Sequence, residues 1–156
     1  MPLVENKFGQ FSMEAHWAVA GKLAPPPQHV TTAPRKALLD RLDRASRLPL
    51  TVVLSPPGFG KTTLLSQWYH RLRERGETAV AWLSVDEEDA ELRRFLTGLA
   101  LAVGRAGIEL GPLLQTVKSP QNEFDTQAAT AALLALIQRM PGKLVLILDD
   151  YDRGRN

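Results

Sequence analysis

Apolar residues fall along this chain in two rhythms. Short unbroken runs stand at Leu50-Thr51-Val52-Val53-Leu54, at Thr78 to Val85 and at Leu144-Val145-Leu146-Ile147-Leu148. Runs of this length, without polar alternation, mark strands buried on both faces, as in a parallel sheet. Between them apolar residues return every three or four positions, the period of a helix that buries one side. Leu38, Leu39 and Leu42 predict a helix over 35–46, ended by Pro49. Leu64, Leu65, Trp68, Tyr69 and Leu72 predict a second, opening at Thr62 and stopped by Gly76. Leu92, Phe95, Leu96, Leu99 and Val103 predict a third behind Asp86-Glu87-Glu88-Asp89, and acids suit a helix N-terminus. Residues 104–124 read as loop with a short helix around Leu113, Leu114 and Val117. Leu133, Leu136, Ile137 and Met140 mark the inner side of a helix over 126–140, closed by Pro141-Gly142. The order β-α-β-α-(α)-β predicts an α/β fold: a parallel sheet in three layers with right-handed crossovers.

The junction of the first strand and its helix carries the most specific chemistry. Ser55-Pro56-Pro57-Gly58-Phe59-Gly60-Lys61-Thr62-Thr63 reads as a phosphate-binding loop. Gly58 and Gly60 let the backbone curl until successive N–H groups face a polyphosphate. The helix behind the loop adds the positive end of its dipole. Lys61 would reach the β- and γ-phosphates, and the Thr62 hydroxyl would ligate Mg²⁺. The usual pattern is G-x-x-x-x-G-K-[ST], and Ser55 stands where the first glycine would be. The plain alternative is a strand-to-helix turn that contains Gly-Lys-Thr by chance.

The second motif is the end of the last apolar run, Leu148-Asp149-Asp150. Its carboxylates would lie at the C-terminal edge of the sheet, where ligands of open α/β folds bind. Asp149 is the expected partner of Mg²⁺, and Asp150 the group that positions or deprotonates an attacking water. A strand ending in a solvated acidic turn is the alternative. The two motifs, in this chain order, predict a P-loop NTPase fold with ATP or ADP and Mg²⁺ as cofactors. The expected division is 1–34 as an N-terminal extension with a Pro-rich lead-in, and 35–156 as a partial nucleotide-binding domain.

Composition narrows this little. The chain has 156 residues, 44% hydrophobic, enough for a sizeable core, and a formal charge of only +2. Arg41, Arg44, Arg47, Arg71, Arg73 and Arg75 are spread among acids and read as solvated surface, not a nucleic-acid stripe. There are no cysteines, so disulfides and cysteine metal sites are excluded. The three histidines have no ligand spacing. Trp68, Trp82 and Phe95 sit at core positions, which favours packing over base stacking. No signal peptide or membrane span is visible, so a cytoplasmic protein is expected.

These residues resemble a family. Ser55 to Trp68 is similar to the loop of the MalT-like STAND ATPases, the large LuxR-type transcriptional activators of bacteria. Ala81-Trp82-Leu83-Ser84-Val85-Asp86-Glu87-Glu88-Asp89, followed by Arg94-Phe95-Leu96, resembles that family's second strand and helix start. Leu148-Asp149-Asp150-Tyr151 matches its second acidic motif. Lys22-Leu23, Pro25-Pro26, Arg35 and Leu38-Leu39 resemble its lead-in. The resemblance covers roughly residues 22–151. It implies an ASCE/STAND-type domain that works as a signal-controlled switch, holding ADP when closed and ATP when open. By motif, Lys61, Thr62 and Thr63 contact phosphates and Mg²⁺, with Asp149 and Asp150 as the acidic pair. Arg35 helps hold the base or ribose, or lies on the surface. DNA would be read only by a C-terminal domain outside this chain, and self-association would belong to the full-length protein.

The resemblance also brings departures. The tail Asp152-Arg153-Gly154-Arg155-Asn156 replaces the family's continuation. The strands expected beside the first strand are lacking, so its backbone groups are expected to stand unpaired. The chain therefore reads as a domain truncated after the acidic strand, marginally folded, with weak nucleotide binding and little hydrolysis. A P-loop kinase or other ATPase enzyme, and an inert gene remnant, are the competing readings.

Overall fold

A computed structural model describes residues 21–27, 35–110, 125–140 and 142–151. Its elements are α1 (Lys36–Ala45), α2 (Lys61–Arg75), β1 (Ala79–Ser84), a 3₁₀ turn (Glu87–Ala90), α3 (Leu92–Arg105), α4 (Thr126–Gln138) and β2 (Leu144–Asp149). The fold is α/β, with four helices around a two-stranded parallel sheet. Ala79 pairs with Leu144 at one end and Ser84 with Asp149 at the other. The predicted helix over residues 113–117 lies outside the described residues.

The pleat of the sheet sorts its side chains into two cores, because successive residues of a strand point to opposite faces. Ala81, Leu83 and Val85 pack with Leu96, Leu99, Ala100 and Val103 of α3 and Ala129 and Leu133 of α4. Val80, Trp82 and Ile147 pack with Leu64, Trp68, Tyr69 and Leu72 of α2 and Leu39 and Leu42 of α1. The layers are thus α1 and α2, sheet, α3 and α4. Trp68 and Trp82 are core residues, as their positions predicted. Gly98 permits the close seat of α3 on β1: a Cβ there would stand 3.1 Å from a methyl of Leu83.

Four expectations need correction. The run Leu50–Leu54 is not the buried core strand its pattern predicts; it belongs to no ladder among the described residues, in keeping with the expected lack of sheet neighbours. Leu50, Val52 and Leu54 are 75%, 65% and 88% exposed, while Val53 packs on the α1–α2 side. An apolar run becomes a strand only when a neighbour takes its N–H and C=O groups, and none among the described residues does. Second, the acids after β1 cap a 3₁₀ turn rather than α3. Asp86 and Asp89 form a reciprocal capping box around it, and α3 starts later, leaving Leu92 exposed.

Third, Ile137 lies with Leu134 on the outer side of α4, whereas Leu133 is buried. Fourth, Arg71 and Arg75 are not simply solvated. Arg71 donates to Asp40 at 2.8 Å and Asp43 at 2.7 Å, and Arg75 donates to Asp43 at 2.9 Å. The Trp68 indole N–H donates to the same Asp43 at 2.9 Å. This cluster fastens α1 to α2, on whose N-terminus the candidate loop depends. Burial works against the charge on Asp43, but the bonds from Trp68 and Arg75 and the charge of Arg71 hold its pKa below the usual carboxylate value.

Candidate functional site

Residues 55–60 turn the extended run into α2. Gly58 and Gly60 have φ of 81° and 76°, left-handed values that glycine adopts without a side-chain penalty. Gly60 is the residue before the helix, and its carbonyl accepts the N–H of Leu64. The N–H of Phe59 points back to the Pro56 carbonyl at 3.4 Å. Pro56, Pro57, Gly58 and Phe59 are exposed, and Ser55 and Gly60 are half-buried.

Lys61, Thr62 and Thr63 form the first turn of α2, all half-buried. The Lys61 ammonium folds over the loop and donates to the Ser55 carbonyl at 2.8 Å and the Pro56 carbonyl at 3.4 Å. These are neutral acceptors. The Thr62 hydroxyl donates to Asp149 Oδ1 at 3.1 Å, joining residues 87 positions apart. Helix dipole, ammonium and carboxylate thus converge at the C-terminal end of β2.

Asp149 is buried at the end of β2. Desolvation pushes its pKa above the ordinary value and the charge of Asp150 pushes the same way. The hydrogen bonds from the Thr62 hydroxyl and the Asp150 N–H, and the charge of Lys61, pull it down without cancelling the rise. Its backbone is fixed as well, since its carbonyl accepts the N–H of Val85 at 2.9 Å. Asp150 turns away with φ of 55°, a left-handed conformation that aspartate tolerates better than most residues. Lys61, Thr62 and Asp149 are therefore brought together, and Asp150 is adjacent with its backbone N–H turned onto Asp149.

Two residues make contacts near the site that the sequence did not reveal: Lys22, and Arg35, which was expected at the base or ribose or on the surface. Lys22, in the lead-in, pairs with Asp86 at 2.6 Å and Asp89 at 3.0 Å, and its carbonyl accepts the N–H of Ser84 at 2.8 Å. Burial lowers and the two carboxylates raise the Lys22 pKa, and the net shift is upward. The Arg35 guanidinium lies against the loop and donates to the Phe59 carbonyl at 2.9 Å. A lone cation in a proline-rich stretch carries no period or spacing that would reveal such partners. Among the described residues no group of three or more His, Cys, Asp or Glu side chains is placed to hold a metal. A concavity of about 590 Å³ lies at the other end of the sheet, where Gly76, Ala79, Ile108, Arg139 and Lys143 line it, away from the loop.

Fold and site together define an α/β chain in which a glycine-bearing loop opens a helix and an acidic strand end bonds to that helix's first turn. No family model matches the chain. It is similar to the HTH-type transcriptional regulator MalT of Cronobacter sakazakii (strain ATCC BAA-894), with 32% identity over 133 residues. The match takes in 85% of this chain and 14% of that protein, so the chain spans a small part of its relative's length. No helix among the described residues is long and apolar enough to cross a membrane.

Proposed function

We propose that this chain is the nucleotide-binding switch segment of a MalT-like transcriptional regulator, taking ATP or ADP with Mg²⁺. The observation that carries this reading is the bond between Thr62 and Asp149, with the Lys61 ammonium resting on the loop carbonyls beside it. The polyphosphate would lie over residues 55–63. Lys61 would exchange its two carbonyl partners for phosphate oxygens, a stronger, charge-assisted bond. The Thr62 hydroxyl and Asp149 fit a hard cation, which favours oxygen ligands. Bound there, Mg²⁺ would neutralise phosphate charge and favour the ionised form of Asp149, which burial disfavours; the chain's own residues would orient the polyphosphate. Asp150 is the candidate for orienting water. The relative's printed name implies DNA binding, and in this chain's case that would rest with parts beyond the matched 14%.

The test is titration calorimetry with ADP and ATP, with and without Mg²⁺. Lys61→Ala should abolish binding of both, because it removes the main charge facing the phosphates. Thr62→Ala should remove the Mg²⁺ dependence and leave residual metal-free binding. Nucleotide affinity that is the same in the Lys61→Ala variant would overturn the assignment. Transfer of phosphate to an acceptor, rather than release or retention, would favour a kinase instead.

A further inference from the structure

Arg35 is the residue before α1, 25 positions away from Gly60, yet its side chain ends on the loop. One guanidinium nitrogen donates to the Phe59 carbonyl at 2.9 Å. The group also lies close to Gly60: a Cβ built there would meet Nη2 at 3.0 Å and Cζ at 3.5 Å. Phe59 and Gly60 are the last residues before Lys61, and Gly60 has the left-handed φ that points the following N–H groups. A carbonyl held outward by a guanidinium forces its peptide plane, and with it the Gly60 N–H, to face the opposite side. The guanidinium suits this use better than an ammonium, since its rigid planar fork fixes the direction of the bond it donates.

We propose that Arg35 is a positioning residue for the loop. It pins the Phe59–Gly60 peptide so that the loop N–H groups face the polyphosphate, and its charge stands on the outer side of the same turn. The role rests on the nucleotide reading above, but the pin itself belongs to the ligand-free chain. It differs from a base or ribose contact, because the partner is the loop's own carbonyl. Because Arg35 also leads into α1, which Asp40 and Asp43 fasten to α2, the pin holds the loop to the α1–α2 pair from both sides.

The experiment compares the unaltered chain with Arg35→Gln and Arg35→Lys. Backbone ¹⁵N order parameters are measured at Phe59 and Gly60 without ligand, and ADP and ATP affinities by calorimetry. Arg35→Gln should lower both order parameters and weaken ADP and ATP alike, by about three- to tenfold, the worth of one hydrogen bond. Arg35→Lys should fall between. Order parameters in β1 serve as the control for folding and should not move. The proposal is overturned if loop order is unchanged in Arg35→Gln, whether or not affinity falls, or if the loop loosens and affinity holds. If the unaltered chain binds neither nucleotide but Arg35→Gln still loosens the loop, the nucleotide reading fails and the pin stands.

Discussion

Two apolar runs of nearly the same composition meet different fates in this molecule. Leu144–Asp149 is a strand, paired along its length with β1 and contributing Ile147 to one core and Leu144 and Leu148 to the other. Leu50–Leu54 has four apolar residues of five and is richer in β-branched ones, yet four of its five residues face solvent. The two lie in one neighbourhood: Thr62, just past the loop, bonds Asp149, and Lys143, just before β2, donates to Ser46 at 3.1 Å. Sequence pattern says what a segment could bury, and pairing decides whether it does. β1 lies beside β2 and covers one of its edges, whereas nothing described covers the other edge or either edge of 50–54. Strand preference is largely a fit to a half-buried pleated surface, so without that surface the same residues remain a connector.

The sharpest way to break the comparison is to truncate one large residue on each side of it. Trp82 is 1% exposed, meets Tyr69 edge-on at 5.9 Å and donates its indole N–H to Ser84 Oγ at 2.9 Å. Trp82→Ala should cost about 3–5 kcal/mol, the usual range for an aromatic lost from a packed core. Leu54→Ala should change stability by no more than about 0.5 kcal/mol, as exposed substitutions do. Urea unfolding followed by circular dichroism reads both. An equal loss in the two variants would mean that 50–54 is as buried in solution as β1 and would end the contrast.

Much of the fold was legible because it depends on local rules. The helical periods placed α1, α2, α3 and α4, and Gly76 ends α2 in a left-handed cap as its position predicted. Strand β1 falls within Thr78–Val85, and β2 within Leu144–Asp150. What failed depends on partners that no period encodes. The strand at 50–54 needed neighbours. Arg71 and Arg75 looked like surface because their partners, Asp40 and Asp43, lie on another helix. At the site, the Gly-Lys-Thr spacing located Lys61 and Thr62, and the apolar run ending in acids located Asp149. The Arg35 and Lys22 contacts join residues far apart in the sequence, a matter of tertiary geometry.

A smaller and more selective contrast is electrostatic. Asp149, at the end of β2, has a raised pKa, chiefly from desolvation. Its folded form binds the proton more tightly than the unfolded chain does, so its contribution to stability falls as pH rises above the ordinary 3.8 toward neutrality. Asp43 and Asp86 are the opposite case. Burial opposes their charge, but hydrogen bonds from Trp68 and Arg75 to the one and from Lys22 to the other leave both pKa values lowered. Their contribution is present above 3.8 and is lost as pH falls through their folded values. Asp149→Asn should therefore raise the melting temperature at pH 7 and remove the decline toward neutrality, while the acid limb, set by Asp43 and Asp86, stays. The Asn carbonyl can still accept from Thr62. A lower melting temperature at pH 7 for this variant would show that the carboxylate is stabilising in its charged form, against the sign derived from its burial. Under the proposed function, Mg²⁺ would stabilise the unaltered chain more as pH rises through the raised Asp149 pKa, and Asp149→Asn would lose that dependence.

The least effect on folding is expected where the comparison began. Changing Leu50, Val52 and Leu54 together to Thr places a β-branched side chain at each position but removes the exposed apolar row. Because the three residues face solvent, each change should stay within about 0.5 kcal/mol. The difference should appear in association instead. An exposed apolar segment with no ladder partner among the described residues is a template for pairing with another chain. Light scattering against concentration should therefore rise less steeply for the triple variant, with its urea midpoint nearly unchanged. If the midpoint drops sharply, the row is covered in solution by part of this same chain. Leu50–Leu54 would then be a strand after all, one whose neighbour comes from outside the described residues.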